Sequence, residues 1–349
     1  MAAISSVSAE KGIAPEVIIS ALEGALASAY KGNYGAASPN FEVRIDRDTG
    51  RVSVVSLKTV VAEVQSEDME ISLSDATRLH DGAEIGQTVT IDVTPDNFGR
   101  IAAQTARQVI LQRLREAERD LIYEAFIDRQ DELITGIVQR VEQRNVVINL
   151  GKAEAALLPH EQVATEQYRP GQRLKIYLVE VLRTPKGPQL VISRTHQGLI
   201  NRLFELEVPE VSSGLVELKS IAREPGLRSK VAVAAREEGI DPIGSCVGIR
   251  GARVQNIVGE LNGEKVDIIA WSESPEEFIS AALSPSEVNS VQLDEELKTA
   301  TVSVPERQLS LAIGRDGQNA RLAAKLTGWR IDIKAAESDT DIQPESTEG

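Results

Sequence analysis

The residue types that do covalent or metal chemistry are scarce in this chain and poorly spaced for it. Its one cysteine, Cys246, has no disulfide partner, and its three histidines, His80, His160 and His196, lie too far apart for a spaced metal motif. Cys246 stands before a tight turn, where a small packing residue is a simpler reading than a reactive thiol. There is no GxxxxGK[ST] phosphate loop, no nucleophile elbow, and no histidine in an acid-base setting. The adjacent carboxylates Glu237 and Glu238, and Glu295 and Glu296, read as solvated faces. What recurs is a pair of short glycine loops, Gly248-Ile249-Arg250-Gly251 and Gly314-Arg315-Asp316-Gly317. Glycines let a phosphate backbone approach closely, and N–H groups at the start of a following helix face an anion. The expected chemistry is therefore non-covalent recognition of a phosphate backbone, with no catalysis, no cofactor and no metal.

The surroundings of the two loops repeat as well. Each loop follows a short apolar helix, "DPIGSCV" or "ERQLSLAI", and precedes a longer one, "ARVQNIVGEL" or "QNARLAAKL". Each longer helix stops at a glycine, Gly263 or Gly328, and leads into a strand, "KVDII" or "WRIDI". Two alternating strands stand upstream in each unit, so the order is helix, strand, strand, helix, GxxG, helix, strand, twice. This is the plan of the KH module, whose loop clamps about four nucleotides while an apolar groove takes the bases. The candidate RNA contacts are Gly248, Ile249, Arg250, Gly251 and Arg253 in the first unit, and Gly314, Arg315, Asp316, Gly317, Gln318 and Arg321 in the second. Asp316 makes the second loop electrostatically weaker than the first. A single GxxG commonly marks only a tight helix connection; its repetition in one context carries the inference. A DNA-binding helix-turn-helix looks similar in one dimension, and preference for single-stranded RNA over duplex DNA separates the two.

The other elements divide the 349 residues into a multi-domain α+β chain. Residues 1–130 read as an α+β domain: a helix over 13–30 with Gly32 and Gly35 as stop signals, a hairpin around Asp48-Thr49-Gly50, and a long helix from Arg100 to about Gln130. Residues 131–199 hold five short strands, which predicts a small oligonucleotide-binding (OB) type β-barrel; 9 basic against 7 acidic residues there favour a polyanion. The two KH units follow at 200–278 and 279–335, and the acidic remainder 336–349 is expected to be a disordered tail. A net charge of -15 argues against a general polyanion binder, so RNA contact has to rest on local cations and main-chain groups. No secretion signal or membrane span is evident, which predicts a soluble, cytoplasmic protein, and the lack of a heptad seam predicts a monomer.

Four segments carry a family resemblance: "VTPDNFGRIAAQTARQVILQRLREAE" at 93–118, "DPIGSCVGIRGARVQNIVGELNGEKVDIIAWSESPEEFI" at 241–279, "QLSLAIGRDGQNARLAAKLTGWRIDI" at 308–333, and the barrel between the first two. Over residues 1–335 the chain resembles the NusA family of bacterial transcription elongation and termination/antitermination factors. The resemblance implies an N-terminal domain that docks on core RNA polymerase and strengthens pausing, a ribosomal S-one-like barrel, and two tandem prokaryotic-type KH domains on nascent single-stranded RNA, working with other antitermination factors. Arg107, Arg113, Arg115 and Arg119 on the long helix offer a polar face to the polymerase, although a solvated spacer explains each of them singly. Val147 stands where such barrels place a stacking aromatic, and Tyr168 and Tyr177 either substitute for it or pack. The alternative is a general KH/OB RNA-binding protein of RNA processing or decay without polymerase contact. KH-bearing GTPases are excluded by the missing phosphate loop, and a phosphorolytic RNase accessory module has the opposite domain order.

Overall fold

The computed structural model describes residues 4–5, 8, 14–34 and 40–336. The expected tail lies almost wholly outside them. By internal contacts the chain forms two units, Met1–Glu124 with Pro185–Pro188, and Ala125–Thr184 with Gln189–Gly349.

In the first unit, helix α1 (Pro15–Tyr34) starts at a proline suited to a first helical turn and buries Ile18, Ile19, Leu22 and Leu26 at helical spacing. The helix does not stop at Gly32. Tyr30 and Tyr34, one turn apart, pack on each other and on Phe98, and Tyr30 also meets Phe41; this aromatic cluster outweighs the roughly 1 kcal/mol that glycine costs inside a helix. Strands β1 (Phe41–Ile45) and β2 (Val52–Val61) form the expected hairpin, whose turn closes on the Asp46 carboxylate. That carboxylate accepts from the N–H groups of Asp48 and Thr49 and from the Thr49 hydroxyl, which holds its pKa below the ordinary value. Strand β3 (Glu70–Ser72), helix α2 (Leu73–Leu79) and strand β4 (Thr88–Asp92) complete a four-stranded sheet in which β2 pairs with the other three. Helix α3 (Phe98–Ile127) buries Phe98 and Ala102 against α1 and this sheet.

The second unit opens with a five-stranded sheet of β5 (Leu133–Glu142), β6 (Asn145–Asn149), β7 (Glu154–Leu157), β8 (Arg173–Thr184) and β9 (Gly187–Ser193), in the order β7-β6-β5-β8-β9. The strands match the five apolar runs expected from sequence, and β5 pairs antiparallel with β6 and β8. Val147 is buried. Both tyrosines are engaged inside the protein: the Tyr168 hydroxyl accepts from the Val163 N–H at 2.9 Å, while Tyr177 donates to Asp131 at 2.6 Å and stacks on His196 at 4.8 Å. Burial and the Asp131 bond push the Tyr177 phenol up to about 12.

Two copies of one architecture follow. The first has helices α4 (Gln197–Glu207) and α5 (Pro209–Ser212), strands β10 (Val216–Glu224) and β11 (Arg228–Ala235), helix α6 (Pro242–Val247), helix α7 (Ala252–Glu260) and strand β12 (Lys265–Ala270). The second has α8 (Pro275–Ala282), β13 (Ser290–Asp294), β14 (Thr299–Val304), α9 (Leu309–Ile313), α10 (Gln318–Thr327) and β15 (Arg330–Ala335). Each sheet has its second strand in the middle, antiparallel to the first and parallel to the third. Local chemistry sets the helix starts: Asp241 and Ser274 cap α6 and α8 with their side chains, each followed by a proline at the first helical position.

The two copies share one core. Ala222, Ala232 and Ile269 from the first sheet bury against Leu322, Ala323 and Leu326 of α10, within a cluster that continues through Phe278, Ile279, Val302 and Trp329. Ser220 Oγ donates to the Leu326 carbonyl at 3.1 Å, and Lys230, fully buried, donates to the Ser284 carbonyl at 2.8 Å. On its other side the first copy is tied to the five-stranded sheet by Arg194. This fully buried guanidinium pairs with Glu166 and donates to the carbonyls of Lys175 (2.8 Å) and Glu260 (2.9 Å).

Candidate nucleic-acid interface

The two glycine loops have the same backbone. Gly248 and Gly314 stand at φ 74°, ψ 176° and φ 75°, ψ 170°, a region that only glycine occupies readily. Arg250 and Asp316 follow at φ 54°, ψ 26° and φ 54°, ψ 27°, and Gly251 and Gly317 at φ 78°, ψ 11° and φ 71°, ψ 15°. Each second glycine caps its helix, α7 or α10, in the left-handed conformation with no side-chain bond. The first N–H of each helix turns back into the loop, Ala252 to the Ile249 carbonyl and Gln318 to the Arg315 carbonyl, and no cap side chain covers the N–H groups that follow. An N-terminus left open in this way suits an oxyanion.

What stands on each loop differs. In the first, Ile249 is 88% exposed, a large apolar side chain held out to solvent beside Arg250. In the second the equivalent residue is Arg315, whose side chain is 95% exposed and lies 3.6 Å from the Asp316 carboxylate. The neutral amide of Gln255 occupies in α7 the place that Arg321 takes in α10.

Behind each loop, the residue two after the second glycine ties it to its module. Arg253 donates to the Ser245 carbonyl of α6 at 2.5 Å and pairs with Glu210 of α5 at 2.9 Å. Asn319, almost fully buried, donates to the Ala312 carbonyl of α9 at 3.0 Å and to the Leu283 carbonyl after α8 at 2.9 Å. Arg253 thus holds the loop's shape as well as lying beneath it. Burial in the same helix pair pushes the Cys246 thiol up to about 12, far from the range of a reactive thiolate.

Two further candidates, Gln318 and Arg321, are drawn away from their own loop. Gln318 Nε2 and Arg321 Nε donate to the two oxygens of Glu224, at the end of β10 in the first copy, at 2.8 and 2.6 Å. Arg321 also donates through Nη1 to the Asp316 carbonyl at 3.1 Å. Its guanidinium holds the Glu224 carboxyl below the usual carboxylate range. Glu224 precedes Gln318 by 94 residues, and no local spacing announced the pairing.

On the long helix, Arg107 and Arg115 are exposed, Arg113 pairs with Glu116 at 3.0 Å, and Arg119 donates to the Pro185 carbonyl at 3.4 Å. Among the described residues no group of three or more His, Cys, Asp or Glu is placed to hold a metal ion, and no helix is long and apolar enough to cross a membrane.

Family models match three stretches: the NusA N-terminal domain at residues 1–120, the NusA-like first KH domain at 194–271, and the NusA-like second KH domain at 275–341. The chain is 55% identical over 334 residues to the transcription termination/antitermination protein NusA of Bacillus subtilis, covering 96% of this chain and 89% of that protein. The protein of the same description from Thermus thermophilus is 45% identical over 343 residues, covering 95% and 89%. The solution structure of the N-terminal domain of NusA from B. subtilis, 50% identical, covers 34% of this chain and 94% of its own, with a TM-score of 0.31.

Proposed function

The chain belongs to the NusA family, and from that premise we propose that it is a non-catalytic transcription elongation factor that docks on core RNA polymerase and holds nascent single-stranded RNA. The observation that carries the RNA half is the pair of superposable glycine loops, each leaving a helix N-terminus open beside an exposed Ile249 or Arg315. Main-chain donors and one or two local cations suffice for this grip, which explains how a chain of net charge -15 binds a polyanion.

Residues 1–130 are the polymerase-binding part in this reading, with Arg107, Arg113, Arg115 and Arg119 as its candidate contacts. Residues 131–199 act in this reading as an OB-type, ribosomal S-one-like barrel, which the five-stranded sheet supports, and 200–278 and 279–335 as the KH pair. With Val147, Tyr168 and Tyr177 all engaged inside the protein, the barrel supplies backbone-tracking surface in place of an aromatic platform. Holding polymerase and transcript together modulates pausing, termination and antitermination, in company with other antitermination factors, in the cytoplasm and as a monomer.

The test is single-stranded RNA binding as a function of salt, for the wild type and for a full-length protein with Ile249, Arg250 and Arg315 all changed to Asp. Asp316 already adopts the backbone conformation of Arg250, so the Arg250→Asp change keeps the loop's shape. We expect binding to fall by tenfold or more with a shallower salt slope, at an unchanged melting temperature. Unchanged affinity in the folded variant would remove the loops from the RNA site. Capture of core RNA polymerase by both proteins separates the elongation-factor reading from a KH/OB protein of RNA processing, which would capture none.

A further inference from the structure

We infer that Glu224 competes with RNA phosphate for Arg321, and so sets the affinity of the second glycine loop below that of the first. The inference rests on the RNA reading above and concerns a residue of the first KH copy that lies outside both loops.

Three observations carry it. The Arg321 guanidinium is beside the second loop, since its Nη1 donates to the Asp316 carbonyl at 3.1 Å. A phosphate drawn onto the open start of α10 therefore comes within reach of that side chain. The site is nonetheless occupied: Glu224 takes Arg321 Nε at 2.6 Å and Gln318 Nε2 at 2.8 Å, one on each carboxylate oxygen. Finally, the Glu224 side chain is only 15% exposed whereas Arg321 is 48% exposed, so the carboxylate is fixed in the junction while the guanidinium keeps one side toward solvent.

Charge bookkeeping separates the two loops. Around the second, Asp316 stands 3.6 Å from the exposed Arg315, and Glu224 pairs with Arg321 while also facing Lys325. Around the first, Arg253 and Glu210 cancel but Arg250 remains, next to the exposed Ile249. In the free protein the second loop therefore presents Arg315 outward with the Asp316 carboxylate 3.6 Å away, while Arg321 is held back by Glu224. A carboxylate and a phosphate diester make the same charge-assisted bonds to a guanidinium, so RNA gains Arg321 only by displacing Glu224. Because Glu224 lies on β10 and Arg321 on α10, the exchange also exposes the tie between the two KH copies to the occupancy of the loop.

The experiment measures binding of a fluorescein-labelled single-stranded RNA of mixed sequence, long enough to cross both loops, at several salt concentrations. The proteins are full length: wild type, Glu224→Gln, Arg321→Gln and the double variant, each checked by thermal unfolding. Glu224→Gln is expected to bind roughly threefold to tenfold more tightly at low salt, with a salt slope steeper by about 0.7, the increment for one added phosphate contact on a single strand. Arg321→Gln alone is expected to weaken binding by less than about fivefold, since it removes a cation that Glu224 already holds back and leaves that carboxylate unpaired beside the loop, and the double variant to lose the gain. Glu224→Ala serves as a second variant, since it leaves no amide oxygen to hold Arg321.

Equal or weaker binding by both Glu224 variants would overturn the inference. So would a tenfold loss in Arg321→Gln, which would mean that Arg321 already holds RNA while paired to Glu224. A gain that persists in the double variant would assign the effect to general charge, including neighbouring Lys325, and overturn it too. In each of these cases wild-type RNA binding is intact and the function proposed above stands; absence of binding by the wild type removes that function and this inference together.

Discussion

The two KH copies fold alike and are finished differently. Their glycine loops agree in φ and ψ within a few degrees, yet the first presents Ile249 and Arg250 where the second presents Arg315 and Asp316. The Arg253 lock is half-exposed and ionic; the Asn319 lock is neutral and buried. The outer sheet faces differ in the same sense. Ala232 and Ile269 of the first sheet are buried under α10, whereas their register equivalents in the second are Ser303 and Lys334. A polar outer face on the second copy suits water and does not invite a third. Backbone geometry is common property of the repeat, while charge and burial belong to each copy's place in the chain.

The largest effect expected from breaking this comparison lies at the locks. Asn319→Ala strands the Ala312 carbonyl and takes one of two donors from the Leu283 carbonyl, which keeps the Ser286 N–H at 3.2 Å, and should cost about 2–3 kcal/mol. Arg253→Ala leaves Ser245 and Glu210 able to turn to water and should cost about 1 kcal/mol or less. Urea unfolding of the two variants checks the order, and equal losses would mean that the locks are equivalent after all.

Next come the first glycines. A Cβ on Gly314 would stand 2.8 Å from both the Cβ and the backbone N of Asn319, and the backbone cannot yield. On Gly248 it would meet the stem of Arg253, nearest at 2.7 Å, which can swing aside. Both alanines meet an unfavourable φ of 74–75°, worth about 1–3 kcal/mol, but Gly314→Ala should lower the melting temperature by the larger amount.

The smallest effect is a pH dependence. Lys230 lies under the second copy, where its counterpart is Thr301, and burial lowers its pKa to about 8 from the ordinary 10.5. Asp267 on β12 opposes that shift and Arg228 on β11 adds to it. Between pH 8 and 10.5 the fold holds Lys230 neutral while the unfolded chain still binds the proton, so stability rises with pH across that window. Below about pH 8 the full cost of burying the ammonium is present. Lys230→Met should remove this rise relative to wild type in melting curves taken from pH 7 to 10, and Thr301→Met should leave it in place.

Much of the architecture was legible in the residues because it is local. Apolar periodicity and turn chemistry gave most of the element order, with the Asp48-Thr49-Gly50 hairpin, the five strands after Leu133 and the doubled KH plan, but not the short β3 and α2 of the first unit. The exception in the first unit is instructive: Gly32 reads as a stop, but Tyr30 and Tyr34 find Phe98 far along the chain and carry the helix to Tyr34. In the candidate site the glycines and cations could be named from sequence, whereas Glu210, Glu224 and Leu283, which occupy or brace them, could not.

The sequence alone therefore determined which segments form helices, strands and glycine loops, since those follow from side-chain spacing and from conformations that only certain residues adopt. The tertiary structure decided which cations remain available. Arg250 and Arg315 stay outward, while Arg321 and Arg253 are spent on carboxylates and Lys230 and Arg194 are sealed in junctions. Charge availability depends on partners brought close by folding, and those partners stand tens of residues away in the chain, beyond the reach of any local pattern.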